Sequence, residues 1–251
     1  MEILHAFGLT PIQLTILACA VITTGISKSG FAGGLGVLTI PMLSLVMSPI
    51  LAVSLMLPVL LVMDVLSIRV WRNQFDSQLL YILIPAGIIG VILGYLTFSF
   101  ISENALKVVL GGFTLAFAIN GLFAKRVKSM PLVSGGYGCG ILSGFTSFIA
   151  HAGGPPLNFF LLSLGLTKQT YLATAVMYYA VINLSKVPAY IQLGQFSFNH
   201  VVIALCFIPL SFVGVKLGVW MQSRLNETLF FRVIYILLIV LGIVLLSSGL
   251  S

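Results

Sequence analysis

Charge is what this sequence has least of. Only 7% of its 251 residues are Asp, Glu, Lys or Arg, against about a quarter in a soluble domain. So little charge leaves no aqueous surface for a soluble catalytic domain. The excess that exists is positive, +7 at neutral pH, but the basic residues are scattered at segment ends. They form no stripe with interleaved aromatics, which excludes a nucleic-acid surface and points to membrane orientation. Cysteine is also scarce. Cys19, Cys139 and Cys206 each fall inside an apolar run without paired spacing, so neither a zinc site nor a disulfide framework is expected. They read as small packing residues. Catalytic signatures are missing too: the chain has no Walker loop, no HExxH and no nucleophile elbow, and its glycine cluster does not follow a strand, which excludes a dinucleotide fold. No cofactor and no metal are implied. The start, Met1-Glu2-Ile3-Leu4-His5, lacks the basic leader of a cleavable signal, so the first apolar run is expected to stay as a membrane helix.

Apolar sequence is what the chain has in abundance, 59% by composition. Runs reach or approach the roughly 20 residues that cross a bilayer as a helix. In the first half they are Thr10 to Ile26, Leu35 to Met47, Pro49 to Ile68, Gln78 to Phe98 and Ala105 to Phe123. In the second they are Leu132 to Phe148, Leu157 to Leu166, Gln169 to Tyr190, Asn199 to Met221 and Thr228 to Ser247. Leu35 to Met47 and Leu157 to Leu166 are too short to span. Ser48-Pro49 offers a helix cap followed by proline at the first position, so the short piece and the next helix should be separate. Pro188 should kink or stop its helix. The fold class is therefore an all-α polytopic membrane protein.

Two glycine-rich breaks interrupt this hydrocarbon. The first is Ser29-Gly30-Phe31-Ala32-Gly33-Gly34-Leu35-Gly36, closing on Pro41, and the second is Ser143-Gly144-Phe145-Thr146-Ser147-Phe148-Ile149-Ala150-His151-Ala152-Gly153-Gly154-Pro155-Pro156. Open backbone is tolerated at membrane depth only when protein or water surrounds it, and transporters place substrates there.

The breaks are also a repeat. Laying Ser29-Gly30-Phe31 on Ser143-Gly144-Phe145 brings Pro41 onto Pro155, and further on Ile84-Pro85 with Gly90 and Gly94 matches Ile208-Pro209 with Gly214 and Gly218. The most charged stretch, residues 125–130, lies between the copies, which divides the chain into a first repeat, 1–124, a basic linker, 125–130, and a second repeat, 131–251. Loop Arg69 to Gln74 is basic while its counterpart, Ala189 to Asn199, has no lysine or arginine; Ser102-Glu103-Asn104 is acidic while Gln222 to Glu227 contains Arg224. Opposite charge in equivalent loops favours inverted halves, each of about five helical segments including a short half-helix, with the linker cytoplasmic and both termini outside. A parallel arrangement of about four crossings per half is the competing topology.

A glycine-rich turn leading into a helix N-terminus is a ready anion site, because free amides converge and the helix dipole favours negative charge. The expected binding residues in the first break are Lys28, Ser29, Gly30, Phe31, Gly33, Gly34 and Pro41. In the second they are Ser143, Gly144, Thr146, Ser147, His151, Gly153, Gly154, Pro155 and Asn158. Gly90, Gly94, Gly214 and Gly218 read instead as close helix packing. Asp64 and His151 are candidate proton carriers, although Asp64 could instead pair with Arg69 or Arg72 at an interface, and His151 could be a satisfied structural group. The helix equivalent to Asp64's is unusually polar, with Tyr178, Tyr179, Asn183 and Lys186. Tyr178 and Asn183 join the binding candidates, and Lys186 is expected to snorkel rather than neutralise substrate.

The paired motifs, Ser29 to Gly36 with Pro41 and Ala150 to Pro156 with Leu161-Leu162, resemble the signatures of the TauE/SafE sulfite exporter family, across essentially the whole chain. That resemblance implies secondary transport of small sulfur-containing anions or zwitterions: sulfite, sulfonates, sulfinates of the hypotaurine type, sulfoacetate or thiosulfate. It also implies a bacterial-type inner membrane. With no nucleotide-binding segment, the driving force is expected to be an ion gradient, protons first and sodium second, or the substrate gradient itself. Another anion such as a carboxylate, or a passive anion channel, is the alternative. Oligomeric state is not legible.

Overall fold

The computed structural model describes residues 9–33, 36–98, 100, 130–224 and 227–250, with scattered positions between 102 and 122; within 227–250 only some side chains are described. Gly34, one of the expected binding residues, lies outside the described residues, as does the linker 125–129.

Helix α1, Pro11–Gly30, starts at a capping box in which Thr10 and Gln13 satisfy each other's amides. After the first break come a 3₁₀ turn, Gly36–Leu38, and a short helix α2, Thr39–Leu43. Helix α3, Pro49–Trp71, is capped by the Ser48 hydroxyl, with Pro49 at the first position as expected. Helix α4 is Ser77–Phe98, α5 Leu132–Ala150 and α6 Gly154–Ser163. Helix α7, Lys168–Gln192, is followed by α8, Phe198–Cys206, α9, Ile208–Arg224, and α10, Glu227–Leu250. Helices α1, α3, α4 and α5 are each long and apolar enough to cross a membrane, and the bent pair α8 and α9 makes a fifth candidate. This is a polytopic helical membrane protein.

Three readings from sequence need correction. The run Asn199 to Met221 is not one helix but two, bent by 56°, because Pro209 has no amide to continue the ladder across Phe207. Pro188 does not stop its helix: α7 continues to Gln192, held beyond the proline by Tyr190, whose hydroxyl donates to Phe148 O at 2.7 Å. Cys19 and Cys206 face outward instead of packing inside, and Cys139 is half-buried.

Both short helices fold back along the long helix that precedes them. In the first hairpin Gln13 Nε2, near the start of α1, donates to Val46 O beyond α2 (2.8 Å), and the Thr24 and Thr39 hydroxyls meet at 2.5 Å. In the second, Phe160 of α6 lies against Gly135 and Gly136 at the start of α5. The glycine breaks are thus hairpin tips.

The helix packing exchanges between halves. α1 lies on α9 with Gly25 against Gly214 and Gly30 against Gly218, and α4 lies on α5 with Gly87 against Gly144 and Gly90 against Ile141. Small residues allow backbones to approach this closely in a membrane, where van der Waals packing replaces the hydrophobic effect between helices. Gly30 and Gly144 therefore serve helix crossings, not ligand approach, alongside the four glycines expected to do so. α3 and α7 pack together at the centre.

Two ends of the bundle can be told apart. At one, the α4 entrance meets α7 through Asp76 N–H donating to Thr174 Oγ1 (3.0 Å), and Lys168 Nζ donates to Gln222 O at the end of α9 (2.6 Å). Arg69, Arg72 and Arg224 are exposed there, and the second hairpin opens toward this end, where α6 leads into α7 at Lys168. At the other, Ser54 near the start of α3 donates to Gln195 beyond α7 (2.8 Å), and the first hairpin opens beside it, where Ser48 caps α3.

Candidate functional site

The two hairpin tips meet. A Cβ placed on Gly36 would lie 3.7 Å from His151 O, and between the tips is a cavity lined by Lys28, Gly33, Gly36, Ser147, His151, Gly154, Tyr179 and Asn183, with Thr24, Ser27, Thr39, Met56 and Leu60 completing its walls. The space open to the centre of a water-sized sphere is about 30 Å³, room for about two waters.

Both tips leave the helical conformation through left-handed residues. Gly33 has φ +71°, and the non-glycine residues Ala32 and His151 have φ 48° and 51°. Such strain in a non-glycine residue costs of order 1–3 kcal/mol and persists where surrounding structure imposes it. Gly33 has a second reason to be glycine: a Cβ there would meet the Tyr179 ring at 2.9 Å.

The amides at these tips are largely engaged within them. Phe31 and Gly33 donate to Ser27 O, Gly36 to Gly33 O, His151 to Ser147 O and Ala152 to Thr146 O. Helix α6 begins Gly154-Pro155-Pro156, and proline has no donor, so its first turn cannot present a fan of amides. Positive charge at this site comes from side chains.

Lys28, at the end of α1, is 4% exposed, forms an ion pair with Asp64 Oδ1 at 2.5 Å and donates to Leu60 O at 3.0 Å. Asn183 Nδ2 donates to the other carboxylate oxygen at 2.8 Å. Asp64 therefore does not pair with Arg69 or Arg72, which lie exposed at the bundle end. Lys186 does not snorkel. It is fully buried, and its ammonium donates to Ser147 O (3.1 Å), Ser147 Oγ (3.1 Å) and His151 Nδ1 (2.8 Å). Three acceptors around one nitrogen match the three hydrogens of an ammonium. His151 Nε2 lies 2.8 Å from Val53 O, a carbonyl that can only accept, so the proton is on Nε2 and Nδ1 is the acceptor for Lys186. Among the described residues Lys28–Asp64 is the one ion pair. Among the described residues, two buried lysines thus stand at the centre with one buried carboxylate, which pairs with Lys28 alone.

Of the expected binding residues, the structure gathers Lys28, Gly33, Ser147, His151, Gly154 and Asn183 at the cavity, and Asp64 directly behind Lys28. Others hold the frame. The Ser29 hydroxyl donates to Gly25 O and Val215 O, Ser143 donates across the second tip to Gly153 O, and Thr146 donates back to Leu142 O and Ser143 O. Tyr178 points away, its hydroxyl donating to Gly140 O. Phe31 caps α1, Pro41 is buried in α2, and Pro155 and Asn158 are buried in α6. Sequence reasoning left Lys186 and Tyr179 out of the binding set. The polarity of α7 was the available signal, but which of two adjacent tyrosines faces the cavity is set by helix phase against α4 and the first tip.

An all-helical bundle closed over a buried cationic centre, built from two broken-helix hairpins, is the architecture of a membrane transporter. The chain belongs to the family described as sulfite exporter TauE/SafE, whose model matches residues 16–245. No curated protein and no solved structure matches the chain. The family consists of transporters, not enzymes, and its membership gives a small anion as substrate and the bilayer as surroundings.

Proposed function

We propose that the protein is a proton-coupled secondary transporter of small sulfur oxyanions: sulfonates, sulfinates of the hypotaurine kind, sulfoacetate or sulfite. One observation carries this reading. Lys186 is buried beside the cavity without a carboxylate of its own, and a lysine in such a place carries its charge stably only when a counter-ion joins it. The substrate anion supplies it.

Asp64 is the proposed proton carrier. Protonation removes the charge that holds Lys28, releasing that ammonium toward the cavity, so one proton and one anion load together. His151 is a less suitable carrier, since both ring nitrogens are engaged and Lys186 stands at 2.8 Å. We read it as a positioning residue that orients Lys186.

The finer architecture follows the same reading. Residues 1–124 and 131–251 are inverted repeats around the linker 125–130; the exchange of packing partners and the opening of the two hairpins toward opposite ends support this. Arg69, Arg72, Lys168 and Arg224 share one end, which supports placing that end and the linker in the cytoplasm of a bacterial-type inner membrane, with both termini outside. Withdrawal of one hairpin tip or the other would open the cavity to alternate sides.

The test is flux in proteoliposomes. Sulfite or taurine accumulation driven by an imposed pH gradient is expected, and Asp64→Asn should retain exchange without the gradient response. Flux that ignores the gradient in the unaltered protein would overturn proton coupling, and flux of acetate alone would overturn the sulfur substrate.

A further inference from the structure

Tyr179 is 6% exposed and lines the cavity, and its hydroxyl has no hydrogen-bond partner. Of the buried side-chain polar atoms without a hydrogen-bond partner among the described residues, those of Ser44, Asp64, Ser67, Asn158 and Tyr179, only the last belongs to a residue of the cavity wall. A buried hydroxyl left unpaired costs roughly 1–3 kcal/mol. Tyr178 next to it is satisfied by Gly140 O, so the vacancy at Tyr179 is not a general feature of the tyrosines on α7.

Most other donors around the cavity have protein partners, and the Ser147 hydroxyl accepts from Lys186. Thr24 donates to Ala20 O, so in its 2.5 Å contact with Thr39 it is the Thr39 hydroxyl that donates. Lys186 uses all three hydrogens, Asn183 Nδ2 holds Asp64, and Lys28 divides its hydrogens between Asp64 and Leu60 O. The first hairpin tip keeps the phenol in place: Gly33 has no side chain, and a Cβ there would lie 3.4 Å from the hydroxyl.

We infer that Tyr179 is the specificity-determining donor of the anion site, its O–H binding the third oxygen of a sulfonate or sulfite. The inference rests on the anion-transport reading above. One oxygen of a small oxyanion reaches Lys28 and a second reaches the Ser147 hydroxyl that Lys186 backs. A sulfinate or carboxylate ends there. A sulfonate or sulfite has one acceptor more, and the phenol, which no described residue partners, is a donor placed to meet it.

The experiment titrates the full-length protein in detergent with methanesulfonate and methanesulfinate, which differ by one oxygen, following thermal stabilisation. The unaltered protein should prefer methanesulfonate. Tyr179→Phe should weaken methanesulfonate about tenfold or more, as loss of a hydrogen bond to an ion does, while methanesulfinate changes less than twofold. Without ligand, Tyr179→Phe should melt at about the same temperature as the unaltered protein, because no described residue partners the hydroxyl. Equal weakening of both anions, weakening of neither, or a lower melting temperature without ligand would overturn the assignment of Tyr179 while leaving the anion site standing. If the unaltered protein responds to neither compound nor to sulfite, the transport reading fails and this inference falls with it.

Discussion

The two hairpin tips are alike in backbone and unlike in charge. Each follows a long helix, passes through left-handed residues and returns along a short helix, and each long helix crosses a helix of the other half on glycines. At the first tip the cation comes with its counter-charge, Lys28 on Asp64 at 2.5 Å. At the second, Lys186 has only neutral acceptors, Ser147 and His151. The frames match, but the chemistry does not. The imbalance fits the proposed division of work, in which a proton opens the charge pair of the first tip and an anion completes the lysine of the second.

The comparison can be broken most severely at the pair. Asp64→Leu leaves Lys28 buried and alone, and should cost about 3–5 kcal/mol of stability. Lys28→Met combined with Asp64→Leu should recover most of that loss in a melting experiment while transport stays insensitive to a pH gradient. At the second tip, Lys186→Gln should weaken anion binding by about tenfold to a hundredfold, through loss of the positive charge behind the Ser147 wall, with a smaller stability change than Asp64→Leu. Equal destabilisation by the two changes would erase the distinction between a paired and an unpaired lysine.

Gly33→Val and Gly153→Val probe the backbones. The first forces a β-branched residue to φ +71° against the Tyr179 ring, and the second drives a side chain against Ser143 at 2.8 Å. Each should abolish flux in proteoliposomes, with a stability loss of about 1–3 kcal/mol. The smallest effect is expected at Gly138, on α5, where nothing lies within 4 Å. Gly138→Ala should raise the melting temperature slightly, by the ~0.5–1 kcal/mol that alanine gains over glycine inside a helix, and should leave flux unchanged.

Much of this was legible in the residues. Run lengths gave the four single-helix candidate spans, α1, α3, α4 and α5, Ser48-Pro49 gave the start of α3, and the glycine breaks marked where the cavity forms, because hydropathy, caps and glycine clusters are local properties. What escaped depended on tertiary partners. Nothing local to Asp64 distinguishes an interfacial pairing with Arg69 from a buried one with Lys28, since the deciding contact is between α1 and α3. Lys186 reads as a snorkelling residue until α7 is seen to be the central helix of the bundle. The breaks read as amide cradles, yet the amides of Phe31, Gly33, His151 and Ala152 turn inward to end α1 and α5, as a chain does when it terminates helices away from water. The bend at Phe207 escaped for a different reason: Pro85 and Pro209 sit in matching sequence, Ile-Pro followed by two glycines four apart, but α4 runs through its proline and the later segment divides at its own.

The central claim is that the cavity is completed by an anion at the Lys186 side. The direct measurement is the melting temperature of the detergent-solubilised protein and of Lys186→Gln with sulfite, taurine, hypotaurine, sulfoacetate, thiosulfate, acetate and phosphate, at two pH values. A site with two lysines and one carboxylate predicts stabilisation by the sulfur compounds in the unaltered protein, and its loss in Lys186→Gln. No stabilisation by any anion, or the same stabilisation in both proteins, would contradict it.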